Sequence, residues 1–179
     1  MVDPRATRRI AFRLAFAAMA ALIVFVQILP FRLGAGGLPA PDLLILFCFA
    51  WALRRPDYVP VALIGAVLLA ADILLMRPIG LWAALGVIAV ECLRGRGHGS
   101  AELHFPVEWI LVGAVLGLMS VVQVAVLGIL AVPQPPLGDT ALHYVITVAA
   151  YPLVVLATTF GFGVRPATPA ERDAMAWHR

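Results

Sequence analysis

Long apolar runs bounded by arginine constrain this chain more than any other feature. Six can be marked, at residues 10–29, 43–53, 59–76, 79–93, 107–132 and 141–162. A helix rising 1.5 Å per residue crosses a hydrocarbon layer of about 30 Å with about 20 apolar residues. Some of these runs reach that length and others, 43–53 above all, are short for it. None alternates with a period of two, which removes the barrel alternative. Hydrophobic residues make up 63% of the 179 and charged residues 13%, against roughly 25% charged in a soluble domain. Mean hydropathy is +0.98. In water so small a chain would expose large apolar patches. The pattern predicts an all-α integral membrane protein with about six transmembrane helices.

The arginines then orient it. All 13 basic side chains are Arg, and no Lys is present. With a cytoplasmic N-terminus, one side holds Arg5, Arg8, Arg9, Arg13, Arg54, Arg55, Arg94, Arg96, Arg165, Arg172 and Arg179, and the other only Arg32 and Arg77. That asymmetry of eleven to two is the positive-inside pattern, and it predicts both termini in the cytoplasm. The same distribution, without a basic stripe interleaved with aromatics, argues against nucleic-acid binding despite a net charge of +3. The division that follows is a cytoplasmic segment over 1–9, one membrane domain over 10–163 and a cytoplasmic tail over 164–179. The first run follows a basic stretch as a signal peptide would. It is long for one and no Ala-x-Ala site follows, so it reads as a retained helix. Arg54-Arg55-Pro56-Asp57 ends the second helix, because proline cannot continue it. No internal repeat is evident.

Polar residues inside apolar runs are costly and so are candidates for function. Asp72 lies about one turn from the outer end of the third helix. It can hold a partner or ion, or it can pair with Arg77 or cap the next helix. Glu91 is near Arg94 and Arg96 and reads as an interfacial pair. Gln123, midway along the fifth run, suits an interhelical hydrogen bond. Gly113 and Gly117 form a GxxxG face that Ser120 extends, a surface for close helix packing. Pro152 should free a backbone carbonyl in the last helix, to be satisfied by a neighbour. Cys48 and Cys92 read as small apolar fillers. His98, His104, His143 and His178 lack a metal-ligand spacing. Motifs for zinc proteolysis, serine hydrolysis or phosphate cradling are missing. The expectation is no catalytic residue, no metal and no cofactor.

The middle third of the chain resembles a known family. Pro41 to Pro56, PDLLILFCFAWALRRP, and Leu63 to Leu85, LIGAVLLAADILLMRPIGLWAAL, look like the rod shape-determining protein MreD family. The matching residues are Pro41, Leu53, Pro56, Gly65, Asp72, Pro78, Gly80 and Leu81, and Tyr151-Pro152 resembles a feature of the last helix in some members. Helix five of some members carries an acidic residue, and the nearest polar side chain in this chain is Gln123. The resemblance implies a fold similar to the substrate-binding membrane subunits of energy-coupling-factor transporters. It also implies a non-enzymatic scaffold of the bacterial elongasome in the inner membrane. Such a scaffold binds an MreC-like bitopic protein and, through it, MreB, RodA and a class B penicillin-binding transpeptidase. The partner-facing or structural candidates are Pro41, Asp42, Asp72, Arg77, Pro78, Gly80 and Gln123. The alternative is a transporter subunit with an outer pocket drawn from Gln27, Asp42, Asp72 and His143.

Overall fold

The computed structural model describes residues 4–29, 39–54, 58–97 and 104–162. It contains six helices: α1 (Pro4–Ile28), α2 (Leu43–Arg54), α3 (Val61–Leu74), α4 (Leu81–Gly97), α5 (Phe105–Ile129) and α6 (Leu137–Phe162). No strand occurs among the described residues. Three helices are long and apolar enough to cross a membrane: α1 over Arg9–Ile28, α5, and α6 over Leu137–Phe160. Helices α2 and α3 are apolar but shorter. The expected tail over 164–179, the end of the second helix at Arg55 to Asp57 and the loop around His98 lie outside the described residues.

Each apolar run becomes one helix, with shifted ends. Helix α1 starts at Pro4, within the basic segment: proline suits a first turn and arginine is a good helix former. Helix α6 begins at Leu137 because Asp139 N and Thr140 N both donate to the Pro136 carbonyl. Helices α3 and α5 stop short of their apolar runs, and in the same way. After α3, Met76 N donates to Ile73 O and Arg77 N to Asp72 O. After α5, Ala131 N donates to Gly128 O and Val132 N to Leu127 O. These are Schellman ends, which need a left-handed residue. Met76 and Ala131 supply it with φ of 52° each, a conformation that costs a side-chain-bearing residue about 1 kcal/mol or more.

Helix α2 is the axis of the bundle. Ten of its 12 residues are buried. It packs on α6 and α4, then on α1 and α3, while α3–α4 and α5–α6 pair as neighbours. Aromatic rings fasten α1 to it: Phe16 packs on Phe47 and Trp51, and Phe12 meets Trp51 edge-on while stacking on Tyr58 of the turn before α3 with centroids 4.6 Å apart. Gly86 lets α4 approach, since a Cβ there would lie 2.5 Å from Leu68 Cδ1 and 3.1 Å from Ile45 Cδ1. An interior helix needs no lipid-length apolar surface, which is why 12 residues suffice.

Candidate functional site

The polar residues gather at the two ends of α2. At its N-terminus Pro41 leads into Asp42, which occupies the cap position. One carboxylate oxygen accepts from Ile45 N at 3.4 Å, three residues on, as a capping side chain does. The other accepts from Arg77 Nη1 at 2.9 Å and Trp82 Nε1 at 3.1 Å. The Asp42 amide donates to Thr147 Oγ1 of α6 at 3.2 Å. One residue thus ties α2 to the turn after α3, to α4 and to α6.

Asp72 builds that turn. It is 0% exposed, and its Oδ2 accepts from Gly80 N and Ala83 N at 3.1 Å each. Gly80 occupies the cap position of α4 with φ +84° and has no side chain to cap with, so a carboxylate from the preceding helix does it. Asp72 O also takes the Arg77 amide at 2.9 Å. Of the roles open to Asp72 from the sequence, this is helix capping. The Arg77 side chain goes to Asp42 instead. Asp72 Oδ1 is buried without a hydrogen-bond partner among the described residues.

The other end of α2 carries a second ion pair. Arg54 Nη2 reaches the two Glu108 carboxylate oxygens at 3.0 and 3.4 Å. Tyr151 of α6 donates its hydroxyl to the same carboxylate, so three helices meet on Glu108. The Arg54 side chain is 7% exposed. Its place in the arginine count was that of a loop signal; the structure makes it an interior group at the same end of the bundle. Glu108 escaped the sequence reading, which offered only Gln123 where helix five of some MreD-family members is acidic, yet α5 carries this carboxylate in its first turn. Tyr151 entered that reading only beside Pro152, not as a partner of Glu108. The available signal was a carboxylate in the first turn of α5 opposite an arginine in the last turn of α2. Those two turns share one end of an up-and-down bundle. Nearby, Arg94 donates to the Val59 carbonyl and lies 3.8 Å from Glu91.

The remaining candidates serve helix packing. Tyr144 of α6 lies across the GxxxG face, donating to Gly113 O at 3.1 Å. A Cβ on Gly117 would sit 3.3 Å from its hydroxyl. That face is therefore filled from within the chain. Ser120 bonds back to Leu116 O at 2.9 Å. Gln123 is half-buried and has no hydrogen bond to another described residue; the expected interhelical bond is made elsewhere, by Trp109. Pro152 has no amide to give the carbonyl four residues back, Val148 O, and Trp109 Nε1 of α5 donates to it at 2.9 Å. Cys48 is buried and Cys92 exposed, so only the first is an interior filler.

Two spaces adjoin these clusters. A crevice touching Asp42, Trp82, Ser120, His143 and Thr147 has room for about one water molecule. An apolar groove of about 330 Å³ runs between α1 and α3, walled by Ala17, Ala20, Ala21, Ala70 and Ala71. Among the described residues no three His, Cys, Asp or Glu side chains converge as a metal site would require. No family model, curated protein or solved structure matches the chain.

Proposed function

We propose that this chain is a multi-pass inner-membrane scaffold of the MreD type, with six crossings and cytoplasmic termini. It acts in the elongasome by binding an MreC-like protein, and it carries no catalytic centre. The observation that carries the reading is the use made of the outer-side carboxylates. Asp42 and Asp72 both spend their carboxylate hydrogen bonds on holding the turn from Leu75 to Gly80 against α2 and α4. The sequence resemblance and the arginine asymmetry support the family and the orientation. A rigid turn at the outer end of a bundle is a fixed feature that a partner's juxtamembrane segment can read. The groove between α1 and α3 offers a course for its single transmembrane helix.

The transporter alternative needs several polar groups converging on a ligand-sized outer pocket. Of those named for it, Asp42 and Asp72 are engaged within the protein, and the crevice beside His143 accommodates about one water. Affinity purification in mild detergent from the native host, with mass spectrometry of the co-purifying proteins, tests the proposal. Recovery of an MreC-like protein with RodA or a transpeptidase is the expected result. Recovery of an ATPase pair with a coupling membrane subunit would replace the scaffold reading with the transporter one.

A further inference from the structure

The outward face of the α3–α4 hairpin is much shorter than the rest of the bundle. At the turn, Met76 and Ile79 are 94% and 74% exposed. Down α4 the outward positions are Ala84 and Ile88, and the next is Glu91, whose side chain is 56% exposed, beside the exposed Cys92. From Leu81 to Glu91 is ten residues, about 15 Å of helix. On α3 the outward residues run from Ala62 through Leu69 and Ile73 to Leu74, about 18 Å. On α5 exposed apolar side chains run from Phe105 to Ile129, and on α6 from Leu137 to Phe160, about 35 Å in each case.

A hydrocarbon layer is about 30 Å thick. The α5 and α6 faces fill it and the α3–α4 face does not. Tilting the hairpin only shortens its projection. Placing Ile79 at the outer boundary leaves the Glu91 carboxylate about 10 Å inside the layer, a depth that a two-methylene stem does not span. Placing Glu91 at the inner boundary sinks the turn, with Arg77, by the same amount.

We propose that the α3–α4 face is a lipid-thinning surface, and that the bilayer beside it is compressed by about 10 Å while beside α5 and α6 it keeps its full thickness. The surface takes short or disordered acyl chains as its annulus. This rests on the six-crossing topology proposed above, and the two can fail separately.

The test uses the full chain in phosphatidylcholine vesicles and reads thiol reactivity from each side with a membrane-impermeant maleimide. Cys48 is fully buried, so the unsubstituted protein reports on Cys92. A Cys92→Ser, Ile79→Cys variant reports on the turn, where the side chain is already exposed. In oleoyl vesicles both positions should react from opposite sides, at rates within about threefold of a water-exposed thiol. In longer-chain erucoyl vesicles at least one should slow by about tenfold, as mismatch grows. If either position is already about tenfold slower than a water-exposed thiol in oleoyl vesicles, the layer is not thinned and the proposal fails. Reaction of both from the same side would overturn the topology itself. A thermal unfolding series supplies a second measurement. Greatest stability in myristoleoyl or palmitoleoyl vesicles supports thinning, and greatest stability in erucoyl vesicles contradicts it.

Discussion

The two ends of α2 solve one problem in different ways. Each carries a charge that a buried helix end cannot leave unpaired. At Asp42 the counter-charge comes from a turn: Arg77 is 30% exposed, and Trp82 Nε1 and the Ile45 amide share the carboxylate with it. At Arg54 it comes from the first turn of another helix, and the Arg54–Glu108 pair is almost wholly enclosed, with Tyr151 as the one further donor among the described residues. The first end distributes its electrostatics over many partners and partly wets them. The second concentrates them in one carboxylate. Loss of a member should therefore be tolerated at the first end and severe at the second.

Glu108→Leu probes the steeper side. It leaves the Arg54 guanidinium buried and uncompensated, at a cost of about 3–5 kcal/mol. Thermal unfolding in detergent, followed by helical circular dichroism, should show a larger loss than Arg77→Met, Asp72→Ala or Trp109→Phe produces. Adding Arg54→Met should return most of it, since removing both members of a buried pair is often near neutral. If the double variant is no better than the single one, Glu108 matters for something other than Arg54. At the gentler end Arg77→Met should cost about 1–2 kcal/mol, because Asp42 retains Trp82 and the Ile45 amide. An equal loss at both ends would erase the contrast.

Smaller changes sharpen it. Asp72→Ala uncaps α4 without removing the Arg77–Asp42 pair, and about 1 kcal/mol is expected, the usual worth of a cap. Trp109→Phe strands the Val148 carbonyl for about 1 kcal/mol. Pro152→Ala should cost less in that background than in the unsubstituted chain, because alanine restores the amide the carbonyl lost. The smallest effect has the opposite sign. Met76→Gly relieves a left-handed residue and should raise Tm, by the equivalent of about 0.5–1 kcal/mol. A fall in Tm would mean that the Met76 side chain, for all its exposure, makes a contact the fold depends on.

The helices were legible in the sequence because burial in a low-dielectric medium acts on every residue of a run, and the sum survives single exceptions such as Arg13 or Asp72. Their ends were less so, since Schellman closures at Met76 and Ala131 do not use the glycine that would have announced them. Asp72 could be read as a cap because its targets, Gly80 and Ala83, are close in sequence. The Val148 carbonyl that Pro152 orphans was legible for the same reason, though the donor Trp109 was not. Arg77–Asp42 and Arg54–Glu108 join residues 35 and 54 positions apart. Nothing local in the sequence couples them; only the placement of α2 at the centre of the bundle does. Gly113 and Gly117 announced a close approach without naming its occupant, which is Tyr144.

The separation of those ion partners bears on how the chain is made. Helix α2 emerges from the ribosome with a charge at each end and too few apolar residues between them to hold itself across a bilayer. Arg77 follows after α3, and Glu108 only when α5 has begun. In the six-crossing topology proposed above, α2 is held across the layer only once its partners on α3 and α5 have followed it. A nascent chain halted before residue 108 leaves Arg54 without its carboxylate, while one released just beyond it can close the pair.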